Sequence, residues 1–412
     1  MSAAKRSGPL VGLKVIELAH IMAGPVCGLL LADMGAEVIK VEKVPAGDDT
    51  RRFLPPEIGG EAAAFMMANR NKRGIAVDLK QEAGKQVVRR LLAGADVAIE
   101  NYRRGTMARM GLSYESLKAE NPGLILCEIS GFGRSGPYAD RGGFDLIAQG
   151  MSGLMSITGE AAGRPPVKVG APVSDITAGI LGAMGVCAAY AHRQRTGEGQ
   201  RVDTSLFEAG ITQTFWQSAI ALATGESPGP LGSRHPMNAP YQAFKTADGW
   251  ITVGAANQAN WLRLLDVIEA PELGEEPRFA DNEQRVRNVE ALEKALAPIF
   301  AARSSADWLA RLEAAGVPAG PVSGIAEMHQ DPQALARGMV VEVPHATLGP
   351  IATLGPPVKF SETPAAVVHG APLLGQDSRA VLSELGYGED EIQTLIDDHV
   401  VIAAEATAAT GG

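Results

Sequence analysis

Cysteine is scarce. Cys27, Cys127 and Cys187 are the only three in 412 residues, widely spaced and set in apolar surroundings. With no Cys-x-x-Cys and no disulfide framework, a reducing, cytoplasmic setting is expected. The seven histidines show no metal-ligand spacing and no His-Glu-x-x-His, so no catalytic metal is expected. The first strand–helix turn, Leu18-Ala-His-Ile-Met-Ala-Gly24-Pro25, is not Gly-x-Gly-x-x-Gly, which disfavours a nicotinamide or flavin dehydrogenase. The Walker pattern is absent, and no Gly-x-Ser-x-Gly elbow is expected, which disfavours an α/β-hydrolase. Positive charge is in deficit: 37 Lys and Arg against 47 Asp and Glu leave −10. That balance argues against nucleic-acid binding and a polybasic membrane anchor, yet leaves room for a local basic pocket. The N-terminal Met-Ser-Ala-Ala-Lys-Arg-Ser has no signal-peptide core. The longest mostly apolar run, 176–191, is interrupted by Thr177, Gly179, Gly182 and Gly185. It is short for a membrane span and reads as a buried helix, so no membrane partner is expected.

Hydrophobic residues make up 46%, enough for a sizeable core in roughly two or three domains. The first half alternates strand-like segments (14–18, 37–42, 74–79, 95–100, 124–129) with helix-like ones (25–34, 81–92, 114–120). This spacing predicts an α/β fold with a mostly parallel, doubly wound sheet. A Gly/Pro-dense stretch at 224–236 marks a linker. A smaller α+β unit follows, with strands near 241–244 and 250–253 and helices near 261–268, 289–300 and 305–315. The segment 316–321 reads as its exit. Strands at 339–343 and 350–354 and a helix near 378–385 close the chain. The expected divisions are 1–224, 225–325 and 326–412.

Asp175 stands where Val167-Lys-Val-Gly-Ala-Pro-Val-Ser-Asp175 gives way to the apolar run. A carboxylate at that junction lies near backbone N–H groups that no helical carbonyl can satisfy, and is expected to be held ionised there. It is either a helix cap or a carboxylate nucleophile; local physics does not separate the two, because both want the same donors. Asp145 is likewise a candidate cap. Basic residues (Lys40 and Lys43; 69–73; Arg103, Arg104 and Arg109) flank the strands. Each cluster is either a solvated surface or part of a site for a phosphorylated ligand. His20, at a strand end, reads equally as a packed residue or a ligand contact.

Several ordered segments then coincide: Val15-Ile-Glu-Leu with Ala23-Gly-Pro25; Leu31-Ala-Asp-Met-Gly-Ala-Glu-Val-Ile-Lys-Val-Glu42; Asn71-Lys-Arg73; Glu100-Asn101-Tyr102; Thr196-Gly-Glu-Gly-Gln-Arg-Val-Asp-Thr-Ser-Leu206; Tyr241 with Thr246-Ala-Asp-Gly249; and Pro357-Val-Lys-Phe-Ser-Glu-Thr-Pro364. In these the chain resembles, over nearly its whole length, the class III CoA-transferases, the group that includes formyl-CoA and carnitine-CoA transferases and the α-methylacyl-CoA racemases. The resemblance implies a Rossmann-like large domain with the smaller one inserted, and a homodimer of interlocked rings. It implies Asp175 as nucleophile, carrying an aspartyl-CoA thioester. It implies coenzyme A or acyl-CoA as substrate, with no prosthetic group, and contacts from His20, Ala23, Lys43, Lys72, Arg73, Asn101, Tyr102 and Arg109. An acidic family residue near the active site aligns with Asp145.

Departures from the family pattern narrow the choice. The racemases carry a His directly before the residue aligned with Asp145, where this chain has Phe144, and a further racemase carboxylate aligns with Asn257. Both losses favour transfer over racemisation. The Gly-rich loop of formyl-CoA transferase is replaced by Gly232-Ser-Arg-His-Pro-Met-Asn-Ala-Pro240. There Arg234 and His235 are either hinge residues or partners for the second carboxylate of a dicarboxylic acceptor. The expected activity is CoA transfer from succinyl-CoA or a similar donor to a small carboxylic acid. Racemisation and non-catalytic CoA binding are the alternatives.

Overall fold

The apolar alternation of the N-terminal half folds into one large sheet. The computed structural model describes residues 6–404. Six strands run parallel: Lys14–Glu17, Glu37–Lys43, Arg73–Val77, Val97–Glu100, Ile125–Ser130 and Arg201–Ser205. Numbered one to six along the chain, they lie in the order 3-2-1-4-5-6, and Val401–Ile402 adds an antiparallel strand beside the third. The chain leaves strand one in one direction and strand four in the other, so their connections part at the C-terminal edge and open a crevice. Both faces of the sheet are covered, which suits strands whose central residues are mostly apolar and buried. Val15, Val97, Ile99 and Cys127 pack with Cys27, Leu31, Ala178 and Val186 on one face. Ile16, Ala98 and Leu126 pack with Val87, Val88, Leu91 and Leu117 on the other.

The apolar run forms the helix Val173–Thr196, closed by Gly197 in the left-handed region with its N–H on Arg193 O at 2.7 Å. Its length and hydropathy would suffice to cross a membrane. Its glycines give it another role. A Cβ at Gly179 would stand 2.7 Å from Ala23 O, and one at Gly182 would stand 2.9 Å from Ile129 Cδ1. The small-residue stripe therefore lets one face of the helix lie close on the first helix, Ala23–Asp33, and on the sheet, while Ile180 and Met184 on another face stay exposed rather than buried as expected.

Two compact units divide the chain. One comprises the residues up to Ser152, Gly170–Gln213 and everything from Pro332 onward; the other is Gly153–Val169 with Thr214–Asp331. The expected boundaries thus shift: the smaller unit starts at Thr214, ends at Asp331 and takes in 153–169. It holds a three-stranded antiparallel sheet of Tyr241–Lys245, Trp250–Gly254 and Ala319–Pro321. The segment read as an exit thus supplies the third strand. Trp261, Trp308, Phe300 and Phe244 fill its core, the two phenyl rings stacked at 4.4 Å. Strand Arg201–Ser205 and helix Glu389–Asp397 were not expected from the sequence.

An ionic cluster lies inside the larger unit. Glu17 Oε1 meets Lys40 Nζ at 2.9 Å and Glu17 Oε2 meets Lys72 Nζ at 2.9 Å, all three side chains being essentially inaccessible. Gly28 leaves room for it, since a Cβ there would sit 1.9 Å from Glu17 Oε2. Burial lowers the Lys72 ammonium to about 8, the nearby Lys40 acting in the same direction against the pull of Glu17. Removing the shared anion by Glu17→Gln would leave buried Lys72 without its counter-ion and Lys40 with Asp48 alone. The expected cost is about 3–5 kcal/mol of stability, read as a lower urea midpoint; a shift below about 1 kcal/mol would contradict it.

Candidate active site

The crevice between strands one and four holds a cavity of about 370 Å³. His20, Ile21, Met22 and Ala23 line it from the first strand–helix turn, Asn101 and Tyr102 from the fourth strand's loop, and Phe144 and Asp175 from the remaining side. Asn101 ties the two loops together. Its Oδ1 accepts from His20 N at 3.0 Å and its Nδ2 donates to His20 O at 2.7 Å. The His20 and Tyr102 rings face each other at 5.6 Å. Burial lowers the His20 imidazole, despite the opposing pull of Asp48.

Asp175 is not the helix cap. Pro172 occupies that position, and Asp175 sits in the first turn with no capping hydrogen bond. Asp145, which begins the helix Asp145–Met151, reaches across to do the capping. Its Oδ1 accepts from Ser174 N at 2.9 Å and, more weakly, from Asp175 N at 3.4 Å, while Gln149 Nε2 donates to Oδ2 at 2.7 Å. The helix-end donors that were expected to keep Asp175 ionised therefore serve Asp145. Among the described residues no donor reaches the Asp175 carboxylate. Burial first, and the neighbouring Asp145 second, raise it to about 7. Phe144 stands 68% exposed beside it, offering a wall but no proton.

The other predicted contacts divide. Lys43 lies with His20 and Tyr102 around an adjoining cavity of about 210 Å³, its ammonium on Asp49 at 2.7 Å. Lys72 cannot face a phosphate: it is buried against Glu17, Pro25 O and Asn69 Oδ1, each at 2.9 Å. Arg73 opens its strand and so stands at the opposite edge, bound bidentately to Glu384 at 2.8 Å and to Glu37 at 2.7 Å. Both were misplaced because they precede the strand rather than follow it; Lys80, beyond Val77, is the cation after the strand's C-terminal end. Lys40 is likewise buried rather than free for a ligand. Arg109 donates to Thr106 Oγ1 at 2.8 Å and does not line the cavity.

In the smaller unit, Arg234 donates to Leu231 O at 3.2 Å and lies 3.7 Å from Glu293. His235 Nδ1 accepts from Met237 N at 3.1 Å, and its ring packs on Tyr241 at 5.2 Å. Asn257 caps the helix Gln258–Val267.

Sequence reasoning passed over Arg134 and Arg141, which also line the cavity. A usable signal existed: Gly131-Phe-Gly-Arg134-Ser-Gly136 is a Gly-x-Gly-x-x-Gly directly after strand Ile125–Ser130. No helix opens from it, so it is not a dinucleotide turn. Arg134 instead braces the fourth-strand loop, donating to Tyr102 O at 3.0 Å and pairing with Glu100 and Glu128. Gly-x-Ser-x-Gly occurs at Gly225-Glu-Ser-Pro-Gly229, where it ends a helix and is no nucleophile elbow. A further cavity of about 420 Å³ shares Arg103, Arg104 and Arg134 but is lined by mutually paired charges and lacks Asp175. The cavity with the unpartnered carboxylate at the sheet's switch point is the candidate for chemistry.

Comparison with known proteins places this geometry. Residues 10–378 match the sequence profile of CoA-transferase family III. A succinate–glutarate CoA-transferase of Agrobacterium fabrum is 42% identical over 386 residues, covering 92% of this chain and 96% of the relative. A succinyl-CoA:glutarate CoA-transferase of Mus musculus is 38% identical, covering 95% and 90%. The crystal structure of a CaiB/BaiF family protein from Brucella suis superposes with a TM-score of 0.82 at 42% identity, covering 92% of this chain and all of that one. With its ordered motifs and its matched sheet, the chain belongs to CoA-transferase family III, and is an enzyme of that class.

Proposed function

We propose that this enzyme moves coenzyme A from succinyl-CoA, or a donor like it, to a short dicarboxylic acid through a thioester on Asp175. The observation that carries the reading is the Asp175 carboxylate itself: half-buried, without a donor among the described residues, and facing a cavity at the switch point of the sheet. Relatives named for succinate, glutarate and mesaconate transfer support the substrate class.

The reaction exchanges one thioester for another and needs no proton or metal from the protein. An Asp175 oxygen attacks the thioester carbon of the donor, the C–S bond breaks, and CoA leaves as thiolate, giving a mixed anhydride. The thiolate attacks Asp175 Cγ, the anhydride C–O bond breaks, and the donor acid departs as carboxylate. Asp175 then carries CoA as a thioester. The acceptor carboxylate attacks Cγ and displaces the thiolate, which attacks the acceptor's acyl carbon and restores the Asp175 carboxylate. Covalent catalysis divides one difficult exchange into easier steps. A carboxylate stripped of donors is poorly stabilised in its resting state, so less is lost when its charge moves onto the substrate. On this reading His20, Ala23, Asn101 and Tyr102 bound the pantetheine end, with Lys43, Arg103 and Arg141 on hand for phosphates. The Arg234–His235 segment remains the candidate for the acceptor's second carboxylate, and a homodimer in a cytoplasmic setting is the expected form.

One observation favours a second reading, α-proton exchange: two neighbouring carboxyls, one raised to about 7, suit acid–base work. Phe144 and Asn257 weigh against it, since neither can carry a proton.

Succinyl-CoA with glutarate as acceptor is expected to give glutaryl-CoA. With the donor alone, hydroxylamine or borohydride treatment followed by peptide mass spectrometry should mark Asp175, and Asp175→Asn should abolish both results. Transfer without any adduct at Asp175 would refute the covalent route. Exchange of an α-hydrogen for deuterium with no acceptor acid present would favour racemisation.

The nucleophile must be ionised, so kcat/KM is expected to rise with pH along a limb centred near 7. Asp145→Asn removes the repelling charge while keeping an oxygen for Ser174 N, and should move that limb about one unit toward acid; an unmoved limb would contradict the pairing. The sign for stability is opposite. The folded carboxyl titrates above its ordinary 3.8, so the stability it lends is complete below that value and is lost as pH rises through about 7. Asp175→Asn should therefore raise the thermal midpoint at pH 8 and leave it unchanged at pH 4.

A further inference from the structure

Ile21 has φ +68°, in the left-handed region. Among the described residues three other non-glycine residues share that sign (Asn71, Glu269 and His399), but Ile21 alone among the four is β-branched, the side-chain type that tolerates it least. It also lines the cavity that holds Asp175. Its own side chain offers nothing that favours this conformation, so the surroundings must impose it.

They do so through buried side chains on the second strand and in the loop that follows it. Both oxygens of Asp48 accept from Ile21 N, at 3.1 and 3.2 Å. Asp48 is fixed in turn by Thr50, whose N and Oγ1 donate at 3.0 and 2.9 Å, and by Lys40 Nζ at 2.9 Å. Lys40 also donates to Ala19 O at 2.9 Å and completes its third bond on Glu17. With Asn101 holding both backbone groups of His20, three consecutive residues of the turn are gripped by side chains from outside it. Burial pushes the Asp48 carboxyl up, but Lys40 and the N–H groups of Thr50 and Ile21 more than reverse this and keep it ionised. Burying such a pair costs more desolvation than apolar packing of the same volume would, so stability alone does not account for it.

We infer that Asp48 and Lys40 are positioning residues that lock Ile21 in its left-handed conformation and so preset the wall formed by His20, Ile21, Met22 and Ala23 for coenzyme A. This rests on the transferase reading above. The clamp acts through the backbone and touches no reacting atom. A turn fixed before binding spares the ligand the cost of ordering it.

The test is a double-mutant cycle of Asp48→Asn and Ile21→Gly, read by calorimetric titration with coenzyme A and by the kinetics of the acyl-CoA donor. Circular dichroism establishes that each variant is folded. Glycine takes the left-handed conformation without strain and has no need of the clamp. Asp48→Asn alone, whose single acceptor oxygen cannot serve Ile21 N, Thr50 and Lys40 together, is expected to weaken CoA binding at least about tenfold and raise KM in step, with kcat within about threefold. In the Ile21→Gly background the same change should cost less than about threefold. Equal penalties in both backgrounds, or undiminished CoA affinity in Asp48→Asn, would overturn the inference. Should Asp48→Asn not fold, Lys40→Gln, which removes the ammonium that fixes Asp48 and holds Ala19 O, takes its place in the cycle with coupling of the same sign expected and the same overturning result. Wild-type protein that fails to bind coenzyme A would instead overturn the transferase reading, and this inference with it.

Discussion

Two acids stand at the start of the long helix, and the helix can serve only one. Asp145 takes the free N–H of Ser174 and reaches that of Asp175, so its charge is spread into the helix end and onto Gln149. Asp175 is left with an apolar wall and a like charge for neighbours, and its carboxyl rises to about 7. The helix end thus stabilises the acid set back from the cavity. The acid facing the cavity is kept costly to ionise, a cost that the proposed mechanism would recover on attack at an acyl carbon. The glycine stripe that seats this helix on the sheet fixes where Asp175 points.

The same economy governs the opposite wall. Glu17, Lys40, Lys72 and Asp48 form a buried ionic cluster beneath the first strand–helix turn. One end of it, Lys72 on Pro25 O and Asn69, joins the first helix to the segment before the third strand. The other end, Lys40 and Asp48, grips Ala19 and Ile21. Arg134 does the corresponding work on the fourth-strand loop through Tyr102 O. The cavity wall is shaped by backbone, and these paired charges hold that backbone in place.

Much of the fold was legible in the sequence, because strands buried on both faces and helices with one apolar stripe leave strong local patterns. The segments expected at 14–18, 37–42, 95–100 and 124–129 all lie in the parallel sheet, and 114–120 is the helix Tyr114–Glu120. Strand Arg201–Ser205 was not read because its Arg, Asp, Thr and Ser residues belong to an edge with one partner and carry little apolar signal. The smaller unit's start was placed by its glycines and prolines, yet the division falls near Thr214, ahead of that stretch.

The sequence by itself determined the family, the parallel sheet, and Asp175 as the residue of interest, since each rests on residue types at fixed spacing along the chain. Only the tertiary structure decided which acid caps the helix, since Asp145 and Ser174 are 29 positions apart and meet through packing alone. It also decided which cations are free. Lys43, Lys72 and Arg73 look alike in sequence, yet one borders a cavity, one neutralises a buried glutamate and one is tied to Glu384 near the C-terminus. A cation's role depends on the charges and the water around it, and those are set by residues far away in the chain.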